Sequence, residues 1–132
     1  MLLSHPELRA TFPGTAAGVR ELRRRVVEVA RRSGMSARAV DAVRLAASEA
    51  ATNAVLHAYR RRPGPLRVEA WRDGDELRLL IADEGEGLAP RTDSPGLGLG
   101  LPLMAQMSDR FEIVSGPDGT EIHLAFHCPA AA

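Results

Sequence analysis

The chain has 132 residues, room for one domain with one core and not for two, and its single cysteine, Cys128, excludes an internal disulfide and fits a reducing compartment. No apolar run approaches the ~20 residues of a membrane span, and the opening MLLSHPELR has neither a basic leader nor a long apolar stretch, so a cytoplasmic domain without membrane contact is expected. Seventeen acids balance seventeen arginines and there is no lysine at all, which excludes a Walker A phosphate loop and Schiff-base chemistry; five aromatic residues are too few for a base-stacking platform.

Residues 8–13 (LRATFP) read as a short strand ended by Pro13 and Gly14. From Thr15 to about Arg32, Val19, Leu22, Val26, Val29 and Ala30 recur at helical spacing, with Thr15 as cap and Ser33-Gly34 as stop. Ser36 caps a second, alanine-rich helix expected to run to about Arg60, with Val40, Val43, Ala47, Ala50, Ala54 and Ala58 as its apolar stripe. After the break RRRPGP the period becomes two. Residues 66–72 and 76–82 flank Asp73-Gly74-Asp75 as a hairpin. The stretch from Asp83 to Gly100 is rich in glycine and proline and fits neither period. A short helix is expected over Leu101–Ser108, with Pro102 in its first turn, followed by a second hairpin of residues 110–115 and 120–126. This order predicts a two-layer α/β sandwich: a mixed, mainly antiparallel sheet covered on one face by about three helices. One domain over residues 1–132 is expected, with its core at about 8–126 and a short tail at 127–132.

The charge is unevenly placed. Residues 1–62 hold twelve arginines against five carboxylates, a net +7, and residues 63–132 hold five against twelve, a net −7. The runs Arg23–Arg25 and Arg60–Arg62 read as solvated helix faces, or as a surface for an acidic protein partner, rather than as a nucleic-acid interface. His123 and His127 share a strand face but have no cysteine or carboxylate at metal-ligand spacing, so neither is expected to bind metal.

Glu49, Asn53 and His57 stand at i, i+4 and i+8 on the second helix, a polar row that drifts slowly around the axis beside small alanines. Asp83, Gly85 and Gly87 directly follow a strand, and Gly96, Gly98 and Gly100 precede a helix, where backbone N–H groups and the positive helix end can approach an anion. An acid, two glycine clusters and a carboxylate–carboxamide row are the parts of a metal–nucleotide site.

Together these residues resemble the GHKL ATP-binding fold of gyrase, the heat-shock chaperone, histidine kinases and MutL. Within it they are most similar to the small anti-sigma-factor serine/threonine kinases of the RsbW and SpoIIAB kind. Glu49 to Tyr59 (EAATNAVLHAY) matches that family's N-box, Asp83-x-Gly85-x-Gly87 its first glycine box, Gly96-Leu97-Gly98-Leu99-Gly100 its second, and Gly119-Thr120 its last adenine-side box. The resemblance spans about residues 8–126 and implies specific roles. Asn53 ligates Mg²⁺; Asp83 accepts from the exocyclic amine of adenine, with Thr120 supporting that edge. Gly85 and Gly87 let the chain turn beneath the base. The backbone of Gly96 to Gly100, with Leu97 and Leu99, closes over the phosphates of ATP. Arg91 is the only cation from Leu88 to Pro95. His57 completes its box by hydrogen bonding, and Glu49 is the general base. The resemblance further implies an anti-anti-sigma partner of the STAS fold as substrate, a sequestered sigma factor, and a homodimer. An ATP-binding protein that sequesters its partner without phosphotransfer is the alternative.

Overall fold

The computed structural model describes residues 7–58, 64–85 and 97–129, with the backbone alone for 57, 58 and 97–101. The elements run β1 (Leu8–Pro13), α1 (Ala16–Arg32), α2 (Ala37–Asn53), a π-helical turn (Ala54–Ala58), β2 (Pro65–Asp73), β3 (Glu76–Asp83), α3 (Leu97–Met107), β4 (Arg110–Gly116) and β5 (Gly119–His127). The strands form one sheet in the order β1-β2-β3-β5-β4. Every pairing is antiparallel, so the sheet is purely antiparallel rather than mixed.

The period-two pattern decides which face is covered. Leu66, Val68 and Ala70 of β2, Leu77, Leu79 and Ile81 of β3, and Ile122, Leu124 and Phe126 of β5 are all buried in one core cluster. Alternate positions such as Arg67, Glu69, Arg78 and Glu121 look outward and are paired there, Arg67 with Glu69 and Glu121, and Arg78 with Asp73 and Glu76. The helices lie on the apolar face. The expected stripe of α1, Val19 to Ala30, is buried, as are Val40, Val43, Ala47, Ala50 and Ala54 of the α2 stripe. Burying a leucine such as Leu22 or Leu66 contributes about 2 kcal/mol. Alanines contribute less each, but they let α2 approach both α1 and the centre of the sheet.

The ends of the helices follow local chemistry. The Gly18 N–H donates to Thr15 Oγ1 at 3.1 Å, and the Ala39 N–H to Ser36 Oγ at 3.1 Å, so both expected caps are made. Gly34, at φ 81°, ends the first helix in the left-handed region that Ser33 or Met35 would enter only with strain.

Two expected boundaries are corrected. The α-helical part of α2 ends at Asn53 and the chain widens into the π turn, whereas the alanine-rich sequence alone predicts helix to about Arg60; residues 59–63 lie outside the described ones. In turn, α3 begins at Leu97, four residues before the expected start. Glycine's low propensity argues against helix there, but packing of α3 on α2, with Met104 fully buried, outweighs it. Pro102 is therefore inside the helix and not in its first turn; its missing N–H leaves the Gly98 carbonyl without the usual partner four residues on.

Candidate functional site

The end of the sheet where β3 stops and β5 starts collects the chemistry. Asp83 is the last residue of β3, two positions beyond the core residue Ile81, so its side chain emerges on the helix-covered face. Its Oδ1 accepts the Gly85 N–H at 2.9 Å, an Asx turn that bends the chain out of the strand. The same oxygen accepts the Thr120 N–H from β5 at 3.3 Å. Among the described residues Oδ2 accepts nothing, so one oxygen is fixed and the other is available. Burial pushes the Asp83 carboxyl above its ordinary range; the N–H groups of Gly85 and Thr120 partly oppose that.

Thr120 is buried, and its Oγ1 lies 3.2 Å from Ser115 Oγ across the β4–β5 pair. Gly119 makes this corner possible. At φ 141° it has backbone that an L side chain rarely adopts, and a Cβ there would sit 2.0 Å from the Asp83 carbonyl oxygen. A cleft of about 550 Å³ opens at this end of the sheet; Asp83 and Thr120 line it together with Arg67, Val114 and Glu121 of the outward face, and no described residue of α2 does. A cavity of similar size, about 540 Å³, lies on the outer sheet face among Trp71, Arg78, Arg110 and His123, away from these groups.

The polar row is carried by α2. Asn53, its last α-helical residue, is 6% exposed, and among the described residues its Nδ2 has no hydrogen-bond partner. A buried amide left unpaired costs about 1–3 kcal/mol, so this carboxamide is held in place without a partner of its own. Rotation about Cβ–Cγ exchanges its oxygen and nitrogen with little change of shape, so either a donor or an oxygen ligand can be presented there. Glu49, one turn earlier, is half-buried and makes no ion pair among the described residues. The π turn that follows Asn53 packs against β3 and so ties the polar row to the strand that ends in Asp83.

The structure thus brings Asp83, Gly85 and Thr120 to one end of the sheet, while Asn53 and Glu49 lie on α2, whose continuation packs against the strand that ends in Asp83. The backbone of His57 lies in the π turn, and its side chain is outside the described atoms. Gly87, Arg91 and Gly96 lie outside the described residues. Leu97, Gly98, Leu99 and Gly100, expected as a loop over an anion, form the first turn of α3. Their N–H groups are consequently those a helix start leaves without internal partners. His123 bonds Glu121, Nε2 to Oε1, at 3.0 Å, and among the described residues no group of three or more potential metal ligands occurs. Ser115 is not singled out by the sequence reading. The signal was there, since the Pro117-Asp118 turn fixes a register that sets Ser115 opposite Thr120.

These features accord with comparisons to known proteins. Residues 12–126 match the histidine kinase-like ATPase domain. Anti-sigma F factor of Halalkalibacterium halodurans is 33% identical over 98 residues, 64% of this chain and 67% of that one. The corresponding factor of Thermoanaerobacter sp. is 27% identical over 86 residues, 57% of this chain and 60% of that one, so the match spans about three fifths of such a relative's length. In structure, the RsbU and RsbW domains of a Mycobacterium tuberculosis protein superpose with a TM-score of 0.74 at 23% identity, over 97% of this chain and 35% of that one. A histidine kinase domain from Erythrobacter litoralis gives 0.61 at 22% identity, over 83% and 60%. Both likenesses concern the fold. The chain belongs to the histidine kinase-like ATPase domain family, and its curated relatives set it beside that family's anti-sigma factors.

Proposed function

We propose that the chain is an ATP-dependent protein serine/threonine kinase acting as an anti-sigma factor: it phosphorylates an anti-anti-sigma partner of the STAS fold and regulates transcription by partner switching. The observation that carries this reading is the pairing of an unpartnered buried carboxamide, Asn53, with an uncompensated carboxylate, Glu49, one helical turn away. Anti-sigma F factors among the relatives support the regulatory half of the reading. The domain is taken as one unit over about residues 8–126, working as a homodimer in the cytoplasm and also sequestering a sigma factor. No helix among the described residues is long and apolar enough to cross a membrane.

In this reading Asp83 Oδ2 accepts from the exocyclic amine of adenine, and the two backbone N–H groups on Oδ1 keep the carboxylate aimed. Thr120, steadied by Ser115, supports the same edge. The N–H groups of Leu97 to Gly100 face the phosphates at a helix start, where anions are favoured. With its amide turned to present the oxygen, Asn53 would be a ligand for Mg²⁺, which would supply neutralising charge for the phosphoryl group. Glu49 removes the proton from the acceptor hydroxyl as that oxygen bonds to the γ-phosphorus. The bond from the γ-phosphorus to its bridging oxygen breaks, and ADP leaves. Glu49 is suited to this because no arginine neutralises it among the described residues.

The test is transfer of labelled γ-phosphate from ATP to a purified STAS-domain protein. Wild type labels a serine or threonine, and Glu49→Gln lowers the rate about 10²- to 10⁴-fold with ATP affinity kept. An equal rate in Glu49→Gln removes the base from the mechanism. ATP binding with no transfer by wild type leaves a sequestering protein instead of a kinase.

A further inference from the structure

Three large apolar side chains stand exposed among the described residues: Leu45 at 38%, Leu56 at 60% and Val114 at 49%. One exposed leucine on a surface is ordinary. Two of these three, however, lie on the segment that carries Glu49. Leu45, Glu49, Thr52 and Leu56 are spaced i, i+4, i+7 and i+11, a single stripe, and burial shows that the stripe faces away from the core. Leu45, Glu49, Thr52 and Leu56 are exposed or half-buried, whereas Ala46, Ala47, Ala50, Ala51, Asn53 and Ala54 between them are buried. Along the axis the two leucines are ~16 Å apart with Glu49 between them, nearer Leu45.

The stripe continues to Arg38, seven residues before Leu45 and ~10 Å further along the axis. Arg38 is exposed and has no carboxylate partner among the described residues, while Arg44, further along α2, is paired with Asp41. The first turn of α2 contains no acid, so the positive end of the helix and the Arg38 guanidinium stand together uncompensated.

Resting on the kinase reading above, we propose that the outward face of α2 from Arg38 to Leu56 is the docking surface for the phosphoryl-acceptor protein. The partner that fits presents apolar side chains against Leu45 and Leu56, a hydroxyl between them at Glu49, and a carboxylate toward Arg38. Apolar contacts on both sides of the base hold the acceptor oxygen in register, and the charge at the helix start sets the direction in which the partner lies. The stripe runs without interruption into the polar row of the site, so docking and chemistry share one helix.

The experiment measures phosphotransfer to a purified STAS-domain protein as its concentration is varied, with Leu45→Ser/Leu56→Ser and Arg38→Glu. Leu56 is mostly exposed and Leu45 partly so, and thermal unfolding of the double variant checks that the fold is kept. The double variant is expected to raise KM for the acceptor protein at least tenfold, with kcat within about twofold and KM for ATP unchanged. Leu45→Met/Leu56→Met restores wild-type KM. Arg38→Glu raises the acceptor KM several-fold in low salt and less in high salt, because an exposed pair is screened. An unchanged acceptor KM in the double variant overturns the docking surface and leaves the kinase reading standing; so does a loss confined to kcat, which places the leucines in the chemistry instead. A wild type that binds ATP and labels no protein overturns the kinase reading, and this inference with it.

Discussion

The two halves of the candidate site are built in opposite ways. At the sheet corner the polar groups are largely satisfied within the protein: Asp83 Oδ1 holds two backbone N–H groups, and Thr120 meets Ser115. On α2 they are not, since Asn53 Nδ2 is buried without a partner and Glu49 faces no cation among the described residues. The sheet half is a preformed acceptor of fixed direction, as selection of one base requires. The helix half holds unmet bonding capacity, as expected where a charged, hydrated group completes the site. On the proposed reading, rigidity sits where the base would be read, and unsatisfied polarity where charge would be handled.

If the corner is preformed, crowding it should do the most damage. Gly119→Ala puts a Cβ 2.0 Å from the Asp83 carbonyl oxygen and 2.9 Å from its carbonyl carbon, both backbone atoms that cannot rotate away. The variant is expected to lose about 3 kcal/mol, the upper end for a single substitution, and to melt roughly 10 °C lower. Thermal unfolding measures it. A loss below ~1 kcal/mol would mean that the strand ends move freely and that the corner is not rigid.

The α2 half makes the opposite prediction. In Asn53→Ala an unsatisfied buried amide is deleted, so the gain from removing it offsets the lost packing, and the ligand-free protein changes by no more than about 1 kcal/mol. What disappears is the response to ligand. Wild type with Mg²⁺ and ATP at a hundred times the dissociation constant gains about 2.7 kcal/mol, several degrees in the midpoint, and Asn53→Ala gains little. A full shift in the variant would separate Asn53 from the nucleotide. A large loss without ligand would show that its amide has a structural partner after all.

This division also explains what could be read from the sequence. Elements with one clear period were legible: the stripes of α1 and α2, both hairpins, and the caps at Thr15 and Ser36 are where the pattern puts them. Asp83, Gly85 and Thr120 could be grouped only through the resemblance of their boxes to a known family, since the contact that joins them is the pairing of β3 with the non-consecutive strand β5. What stayed hidden depended on tertiary contact. The π turn after Asn53 has the composition of ordinary helix, and only its packing on β3 distinguishes it. The helical start at Leu97 runs against glycine propensity and is set by contact with α2. The role of Gly119 is a distance to another strand, which no local pattern encodes.

The subtlest test separates the charge of Asp83 from its shape. Asp83→Asn keeps an oxygen for the Gly85 and Thr120 N–H groups but puts an NH₂ group where Oδ2 stood, so a donor now meets the adenine amine. Adenine-nucleotide affinity should fall sharply while ligand-free stability at neutral pH holds or rises, because a half-buried charge has been removed. The pH dependence fixes the sign. Burial raises the folded-state pKa of Asp83 above its unfolded value, so the native state binds the proton more readily than the unfolded chain does. Wild type is therefore penalised above the folded pKa, and the penalty is relieved as pH falls through it toward the ordinary aspartate range near 4. The advantage of Asp83→Asn in denaturant midpoint should shrink across that window and stay level above it. An advantage that grew on acidification would mean that the two N–H groups outweigh burial, and that the carboxylate stabilises the corner it occupies.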